Sequence, residues 1–168
     1  MSIAIGLLET TYPNTGARIF LYCGGPASKL HLKTILSYSI AEGPGMVVSP
    51  ELKEAIRSHH DIEKDTTKHM KKATKFYESL AKRVSDKGHI VDIFAGCLDQ
   101  IGLQEMRSMV NMTNGHIVLS DSFNSGIFKQ SFLKMFSKDD EGFVNMGFNG
   151  TIEIIVNISL KPLSTTLI

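Results

Sequence analysis

Short runs that are apolar on both faces alternate along the chain with longer stretches that are apolar on one face. The runs at residues 18–23, 89–96 and 116–120 are rich in Ile, Val, Leu and Phe and end at small or polar residues. Runs of this kind are typical of parallel strands that helices cover on both sides. Because helix-like stretches separate these runs, the pattern predicts an α/β fold with a doubly wound sheet.

The first helix-like stretches differ in how much of their surface is apolar. Residues 2–9 are apolar nearly all round, which predicts a buried helix. The Ser-Pro-Glu triplet at residues 49–51 predicts the start of a short helix, which a polar break at residues 58–61 ends. We expect Asp65 to cap a long helix and Gly88 to end it. The apolar positions of the long helix recur every three or four residues: Met70, Ala73, Phe76, Tyr77, Leu80, Ala81 and Val84.

The later part of the chain continues the alternation and then leaves it. Residues 103–110 predict a helix that a turn at residues 111–115 follows. A last helix is predicted to place five apolar residues on one face: Ile127, Phe128, Phe132, Met135 and Phe136. Residues 143–156 contain glycines and β-forming residues without a helical period, which predicts the start of a β structure.

Length and composition favour one globular domain in a reducing compartment. The chain has 168 residues, of which 42% are hydrophobic and 21% charged, and its formal net charge is +1. A near-neutral balance gives no overall attraction to nucleic acid or anionic lipid, so such a contact would need a local patch. Residues 2–8 lack the basic flank of a signal peptide. We expect a cytosolic chain in which Cys23 and Cys97 are reduced structural thiols.

The densest set of metal-ligand side chains lies in the polar break after the short helix. It consists of His59, His60, Asp61, Glu63 and Asp65. A metal site needs side chains that converge on one point, whereas neighbouring residues at a break between helices point in different directions. The sequence therefore predicts a solvated junction here and no metal site.

Three aspartates lie in or just beyond the predicted strands. In an open α/β sheet, ligands bind outside the carboxyl ends of the strands, where Asp99 and Asp121 are placed. The loops contain no phosphate-binding motif and no recognisable nucleophile with its base. We expect Asp99 and Asp121 to cap the helices that follow, and Asp92 to hydrogen-bond a neighbouring loop. No catalytic or cofactor-binding residue is predicted.

The long helix carries five lysines largely opposite its apolar stripe: Lys68, Lys71, Lys72, Lys75 and Lys82. A basic face of this kind can dock on an acidic protein or on anionic lipid. The alternative is an ordinary solvated face, which Glu78, Glu63 and Asp65 partly neutralise. Both interpretations remain open from the sequence.

Several rare strings resemble the GTPase-activating inner-coat subunits of COPII vesicles (the SEC twenty-three family). The similarity covers most of residues 2–28 and 42–154, in order and without large gaps. The strings are YPNTGARI at residues 12–19, GPGMVV at 43–48, IRSHHDIEKD at 56–65, KATKFYE at 72–78, LDQ with GL at 98–103, GH at 115–116, and DSFN with FKQ at 121–130.

The resemblance implies a fold and a set of partners. It implies a partial von Willebrand A-like trunk domain over residues 1–140 and the start of a β-sandwich, with a divergent tail, in residues 141–168. The family pairs with the cargo-adaptor subunit and helps bind the Sar-type small GTPase, as a cytoplasmic coat peripheral to endoplasmic reticulum membranes. The resemblance implies no nucleic-acid partner. It implies a regulator and not an enzyme, since an arginine supplied in trans raises GTP hydrolysis.

The resemblance also implies what this sequence lacks. The activating arginine belongs to a later helical domain, and a structural zinc belongs to an N-terminal finger. Both lie outside the matched strings, as do the first half of the trunk sheet and a gelsolin-like domain. We therefore expect a fragment without a cofactor, a catalytic site or an activating arginine of its own.

Two stretches depart from the family pattern. Residues 29–41 form an atypical insert, and the tail after Ile154 diverges. An incomplete sheet would leave an unpaired strand edge and an exposed helix face, so we expect the chain alone to be marginally stable or molten. The alternatives are a stand-alone A-type ligand-binding domain, which needs a DxSxS loop absent here, and a small α/β enzyme.

Overall fold

A parallel sheet with helices on both faces forms the centre of the molecule. The computed structural model describes residues 1–13, 15–25, 43–48, 57–97 and 101–146. In chain order the elements are α1 (Ser2–Thr11), β1 (Arg18–Cys23), α2 (His59–Glu63), α3 (Met70–Asp86), β2 (Ile90–Gly96), α4 (Leu103–Thr113), β3 (Ile117–Ser120) and α5 (Gly126–Met135). The predicted α/β class is confirmed.

The sheet has the strand order β1-β2-β3, and both pairings are parallel. Leu21 of β1 lies opposite Ile93 of β2, which in turn lies opposite Ile117 of β3. The central strand is buried at every position from Val91 to Ala95. The sheet thus has one fully covered strand and, within the described residues, two edge strands.

One face of the sheet packs against α1, α3 and α4, and we call it the aliphatic side. Side chains at alternate positions point to this face, among them Ile19, Val91 and Ile93. The core that they form with the helices contains buried residues of α3 and α4: Ala73, Tyr77, Leu80, Ala81, Val84, Met106, Met109 and Val110. The predicted apolar stripe of the long helix therefore packs into this core, except for Met70, which is not part of it.

The opposite face, which we call the aromatic side, packs against α5. Seven rings touch one another in one cluster: Phe20, Tyr22, Phe94, Phe123, Phe128, Phe132 and Phe136. Gly96 is required beneath this cluster, because a Cβ atom there would lie 2.7 Å from the ring of Phe123. The prediction for α5 is wrong at Ile127, whose side chain is 67% exposed.

The first helix is less buried than its composition predicts. In α1 only Ile5 is buried, while Ile3 is 78% and Leu7 58% exposed. A helix that is apolar all round needs neighbours on every side, but α1 contacts the described part of the structure mainly along α3. The expectation of a buried helix is therefore wrong for the residues described.

The long helix ends as predicted but starts later. Gly88 has φ of +67°, and the amides of Gly88 and His89 donate to the carbonyls of Ser85 and Val84. These two hydrogen bonds are the usual pattern at a glycine-terminated helix. At the other end His69, not Asp65, is the N-cap residue. Asp65 cannot cap α3 because the helix begins five residues later, at Met70.

Two other boundaries differ from the prediction. Residues 59–63 form the short helix α2 instead of a break, since Ser58 and Asp61 cap it reciprocally. Helix α4 continues to Thr113 instead of ending at residue 110. The hydroxyl of Thr113 donates to the carbonyl of Met109 and accepts from the amide of Val91, which fixes this last turn on the sheet.

Several predictions lie outside the described residues. They concern the helix start at residues 49–51, the insert at residues 29–41, Asp99, and the tail from residue 147 onward. Just before the tail, Lys138 and Val144 form an isolated antiparallel bridge. The domain limits at residues 1–140 and 141–168 and the β-sandwich stay predictions.

Candidate functional site

A cleft opens at the carboxyl ends of β2 and β3, where doubly wound sheets bind their ligands. Its volume is about 540 Å³. The lining residues come from three places, namely the strand ends, the start of α4 and the region of α2: Ala95, Cys97, Leu119, Ile101, Gly102, Leu103, Gln104, Arg57, His59 and Ile62. Most of these side chains are apolar, so the cleft contains few polar groups that could take part in a reaction.

The strongest polar interaction at this end of the sheet is an ion pair between Arg57 and Glu105. Arg57 Nη2 donates to Glu105 Oε2 at 2.7 Å, and the Glu105 side chain is completely buried. Burial raises the pKa of Glu105, and the charge of Arg57 opposes this shift. Within the described residues, Arg57 Nε and Glu105 Oε1 have no hydrogen-bond partner. The pair ties the first turn of α4 to the segment before α2 and presents no nucleophile to the cleft.

Asp92 lies at the other end of the sheet. Arg18 donates to its carboxylate through Nε at 2.5 Å and through Nη2 at 3.0 Å, and the amide of His116 donates at 2.7 Å. The hydrogen bond to the loop before β3 confirms the prediction for Asp92. Because Arg18 begins β1 and His116 precedes β3, this buried carboxylate joins all three strands and lies away from the cleft.

Gly115 makes the approach of His116 to Asp92 feasible. A Cβ atom at residue 115 would lie 1.8 Å from the carbonyl oxygen of Val91. Only glycine therefore lets the loop come this close to β2. The Gly-His pair is visible in the sequence, but no neighbouring residue indicates that this pair contacts β2.

Asp121 does not cap the last helix. Its carboxylate accepts a hydrogen bond from the amide of Ser122 at 2.9 Å. The N-cap of α5 is Ser125, whose hydroxyl accepts from the amide of Phe128 at 3.2 Å. If Asp121 were the N-cap, the helix would begin at the next residue, but α5 begins only at Gly126. The capping prediction for Asp121 is therefore wrong.

The His-rich junction is organised as a helix cap. Asp61 accepts from the amide and the hydroxyl of Ser58, both at 2.7 Å, and these hydrogen bonds lower the pKa of the Asp61 carboxyl. His59 lines the cleft, while the side chain of His60 is exposed. No group of three or more His, Cys, Asp or Glu side chains converges anywhere in the described ranges.

The five lysines of the predicted basic face are all exposed. Lys68 precedes α3, and the other four lie on it: Lys71, Lys72, Lys75 and Lys82. Beside them a groove of about 370 Å³ runs between α2 and α3. Its lining contains apolar and charged groups: Ile62, Asp65, Thr67, Met70, Lys71, Thr74, Lys75 and Glu78. The sequence predicted the lysines but gave no signal for the groove, which depends on the angle between the two helices.

The thiol of Cys23 lies at the end of β1, also at the carboxyl edge of the sheet. Burial raises its pKa, and nearby Cys97 contributes to a smaller extent. A thiol with a raised pKa is a poor nucleophile at neutral pH. Among the described helices, none is long and apolar enough to span a bilayer.

The geometry therefore gives surfaces for binding and no arrangement for covalent catalysis in the part of the chain described. Comparison with known families gives a match to a family of coat proteins, which work by binding other proteins. Residues 1–136 match the family model of the Sec23/Sec24 trunk domain. The match runs from α1 to the end of α5 and includes the whole three-stranded sheet.

Proposed function

The chain belongs to the Sec23/Sec24 trunk-domain family of the COPII vesicle coat, and on that premise we propose that it is the trunk part of a GTPase-activating inner-coat subunit, which binds the coat partners without supplying the activating arginine. Its partners are then the cargo-adaptor subunit and the Sar-type small GTPase. It works on the cytoplasmic side of the endoplasmic reticulum membrane, in transport to the Golgi. Its role is regulatory and structural, without a reaction of its own.

One observation carries this proposal. The family match covers residues 1–136 of 168, so it includes every helix and strand described. The strings quoted in the sequence analysis resemble the GTPase-activating subunit, which supports the proposal of that subunit. The three-stranded parallel sheet with helices on both faces is compatible with a von Willebrand A-like trunk.

The arginines bear on how the chain would contribute to GTP hydrolysis. An arginine finger must reach the phosphates of the GTPase, so it must be exposed and uncommitted. Arg18, Arg57 and Arg83 are each held by a carboxylate, at Asp92, Glu105 and Glu9 respectively. These three arginines are therefore poorly placed to act as a finger, and exposed Arg107 is the described arginine that remains to be tested.

Co-elution with the cargo-adaptor trunk tests the proposal. We expect the purified chain and the adaptor trunk to form one peak of equal stoichiometry in size-exclusion chromatography with light scattering. An exposed variant, Leu133→Ser on α5, serves to detect non-specific apolar association. Separate elution of a folded chain and the adaptor would contradict the proposed partnership.

A hydrolysis assay tests the regulatory part separately. We expect the chain to bind the GTP-loaded Sar-type GTPase and to leave its rate of hydrolysis unchanged, since the resemblance assigns the activating arginine to a later helical domain. Acceleration above the intrinsic rate would show that an arginine of this chain acts in trans. Replacing Arg107, which is exposed, by Ala would then identify the residue.

A further inference from the structure

Asn114 and Gly115 form a dipeptide whose asparagine can lose its side-chain amide in water. The backbone nitrogen of Gly115 gives its proton to hydroxide and attacks Cγ of Asn114, so that a C–N bond forms and the side-chain nitrogen takes a proton from water and leaves as ammonia. Water then opens the resulting succinimide at one of its two carbonyls. The products are aspartate, with an unchanged main chain, and isoaspartate, whose main chain runs through Cβ and Cγ. Glycine favours the attack because it has no Cβ in the way.

The fold holds the attacking nitrogen in a hydrogen bond. The amide of Gly115 donates to the carbonyl of Val110 at 3.1 Å, and the amide of Asn114 donates to the same carbonyl. Asn114 caps α4 in the left-handed conformation, with φ of +54° and ψ of +39°, which asparagine adopts more readily than most residues. The Gly115 nitrogen must therefore leave the carbonyl of Val110 before it can lose its proton and reach Cγ of Asn114.

Both neighbours of the dipeptide are fastened to β2. On one side, the hydroxyl of Thr113 accepts a hydrogen bond from the amide of Val91. On the other side, the amide of His116 donates to the carboxylate of Asp92 at 2.7 Å, and the carbonyl of His116 accepts from the amide of Ile93 at 2.8 Å. The dipeptide is therefore released only when the end of α4 or the start of β3 detaches from β2.

The space between these two anchors has no room for a longer main chain. A Cβ atom at Gly115 would already lie 1.8 Å from the carbonyl oxygen of Val91. Isoaspartate at residue 114 adds one atom to the main chain, so Gly115 cannot keep its place while His116 stays bound to Asp92. Aspartate keeps the main chain unchanged, and the side chain at residue 114 is exposed. Only the isoaspartyl product is therefore incompatible with the fold.

We propose that Asn114 is a deamidation site that the folded chain keeps closed and that local opening at the end of α4 exposes to reaction with water. Isoaspartate forms in proportion to the time that the chain spends open. Once it has formed, the loop before β3 cannot return to its place on β2. Opening then becomes irreversible, because a chemical change has altered the open chain before it could close.

Deamidation rates of the full 168-residue chain and of a free peptide of residues 109–119 test the first part of the proposal. Both are incubated in the same neutral buffer, and mass spectrometry of tryptic peptides measures the loss of the amide. Trypsin separates residue 114 from the second Asn-Gly pair, at residues 149–150. We expect Asn114 to react at least about tenfold more slowly in the chain than in the peptide. Equal rates would overturn the proposal.

A variant distant in sequence tests whether the anchors on β2 protect the dipeptide. Asp92→Ala removes the acceptor of the His116 amide and should accelerate deamidation of the full chain about threefold or more. The exposed control Asp121→Ala should leave the rate unchanged. Unchanged deamidation in Asp92→Ala would show that the contact with β2 does not protect Asn114.

Refolding tests the second part of the proposal. The chain is deamidated in guanidinium chloride and diluted into buffer, and size-exclusion chromatography separates the folded fraction. We expect isoaspartate at residue 114 to be depleted in this fraction by about tenfold relative to aspartate. Asn114→Asp provides the control and should refold like the unmodified chain. Isoaspartate and aspartate in equal shares in the folded fraction would contradict the proposed block to closure.

Discussion

The two sides of the sheet are built differently, although the same three strands supply both. On the aliphatic side, three helices cover the strands, and the core residues of α3 and α4 are almost completely buried. On the aromatic side, α5 is the helix that covers them within the described residues, and Phe94 is the one fully buried ring of the cluster. Apolar burial contributes in proportion to the area removed from water. Most of the stabilisation from burial therefore comes from the aliphatic side.

The aromatic side compensates with specific geometry. Its rings meet at centroid distances of 4.8 to 6.5 Å, in the range where edge-to-face and stacked pairs are favourable. The buried carboxylate of Asp92, at the amino-terminal end of the same side, links β2 to Arg18 of β1 and to His116 just before β3. The aliphatic side thus contributes most of the apolar burial. The aromatic side, with its ring contacts and Asp92, fixes the register of the strands and the orientation of α5.

The largest expected effect is at Asp92. Replacing Asp92 by Ala leaves the partly buried guanidinium of Arg18 without its carboxylate partner and should lower the free energy of unfolding by about 4 kcal/mol. Urea unfolding followed by circular dichroism measures the change. The exposed Asp121→Ala is the control and should change stability by less than about 0.5 kcal/mol. Equal effects of both variants would show that the carboxylate does not hold the strands together.

The next effect is on the aliphatic side. Leu80 is 2% exposed, so Leu80→Ala should create a cavity and lower the free energy of unfolding by about 3 kcal/mol. Ser79→Ala, at an exposed position of the same helix, should stay within about 0.5 kcal/mol. A small loss at Leu80 would mean that α3 is not packed on the sheet in solution.

A smaller effect is expected on the aromatic side. Phe132 is only partly buried, and Phe132→Ala should cost about 2 kcal/mol, less than removal of a fully buried ring. The same helix offers Ile127→Ala as control, because that side chain is 67% exposed. If Phe132→Ala proved more costly than Leu80→Ala, the order of the two sides would be reversed.

The smallest effect is a pH dependence from Glu105. Burial raises the pKa of Glu105 in the folded chain above its ordinary value of 4.5, so between these two values the folded state binds more protons than the unfolded state. The free energy of unfolding therefore falls as pH rises through this window. Glu105→Gln lacks this dependence.

Unfolding of both chains between pH 4 and pH 8 isolates the contribution of Glu105. The stability of the unmodified chain relative to the Gln variant should decrease from about pH 4.5 upward and then level off. A relative stability that instead rises with pH would mean that Arg57 lowers the pKa of Glu105 more than burial raises it.

Local signals in the sequence explain what could be predicted. Strands that are apolar on both faces indicated a parallel sheet between helices, and Gly88 marked the end of α3 because only its left-handed backbone fits there. The Ser-x-x-Asp pattern at residues 58–61 was a signal for a helix cap, although the run of polar residues favoured a break. These features depend on residues close in sequence.

Features that depend on distant residues could not be predicted. The carboxylate of Glu105 meets Arg57 across 48 positions, and neither residue type alone predicts the pair. The composition of α1 indicated burial, but burial depends on how many neighbours the fold supplies. The groove is lined by residues of α2, of α3 and of the segment between them, and no local pattern indicates how these come together. Tertiary packing, and not local propensity, decides these three features.

Calorimetric titration of the cargo-adaptor trunk with the chain, with and without a magnesium chelator, tests the central claim most directly. For a coat trunk domain that works through protein contacts, we predict saturable binding at equal stoichiometry that the chelator leaves unchanged. Absence of heat and of complex, with a chain that unfolds cooperatively, would contradict the proposed function. Binding that requires magnesium would point instead to an A-type adhesion domain.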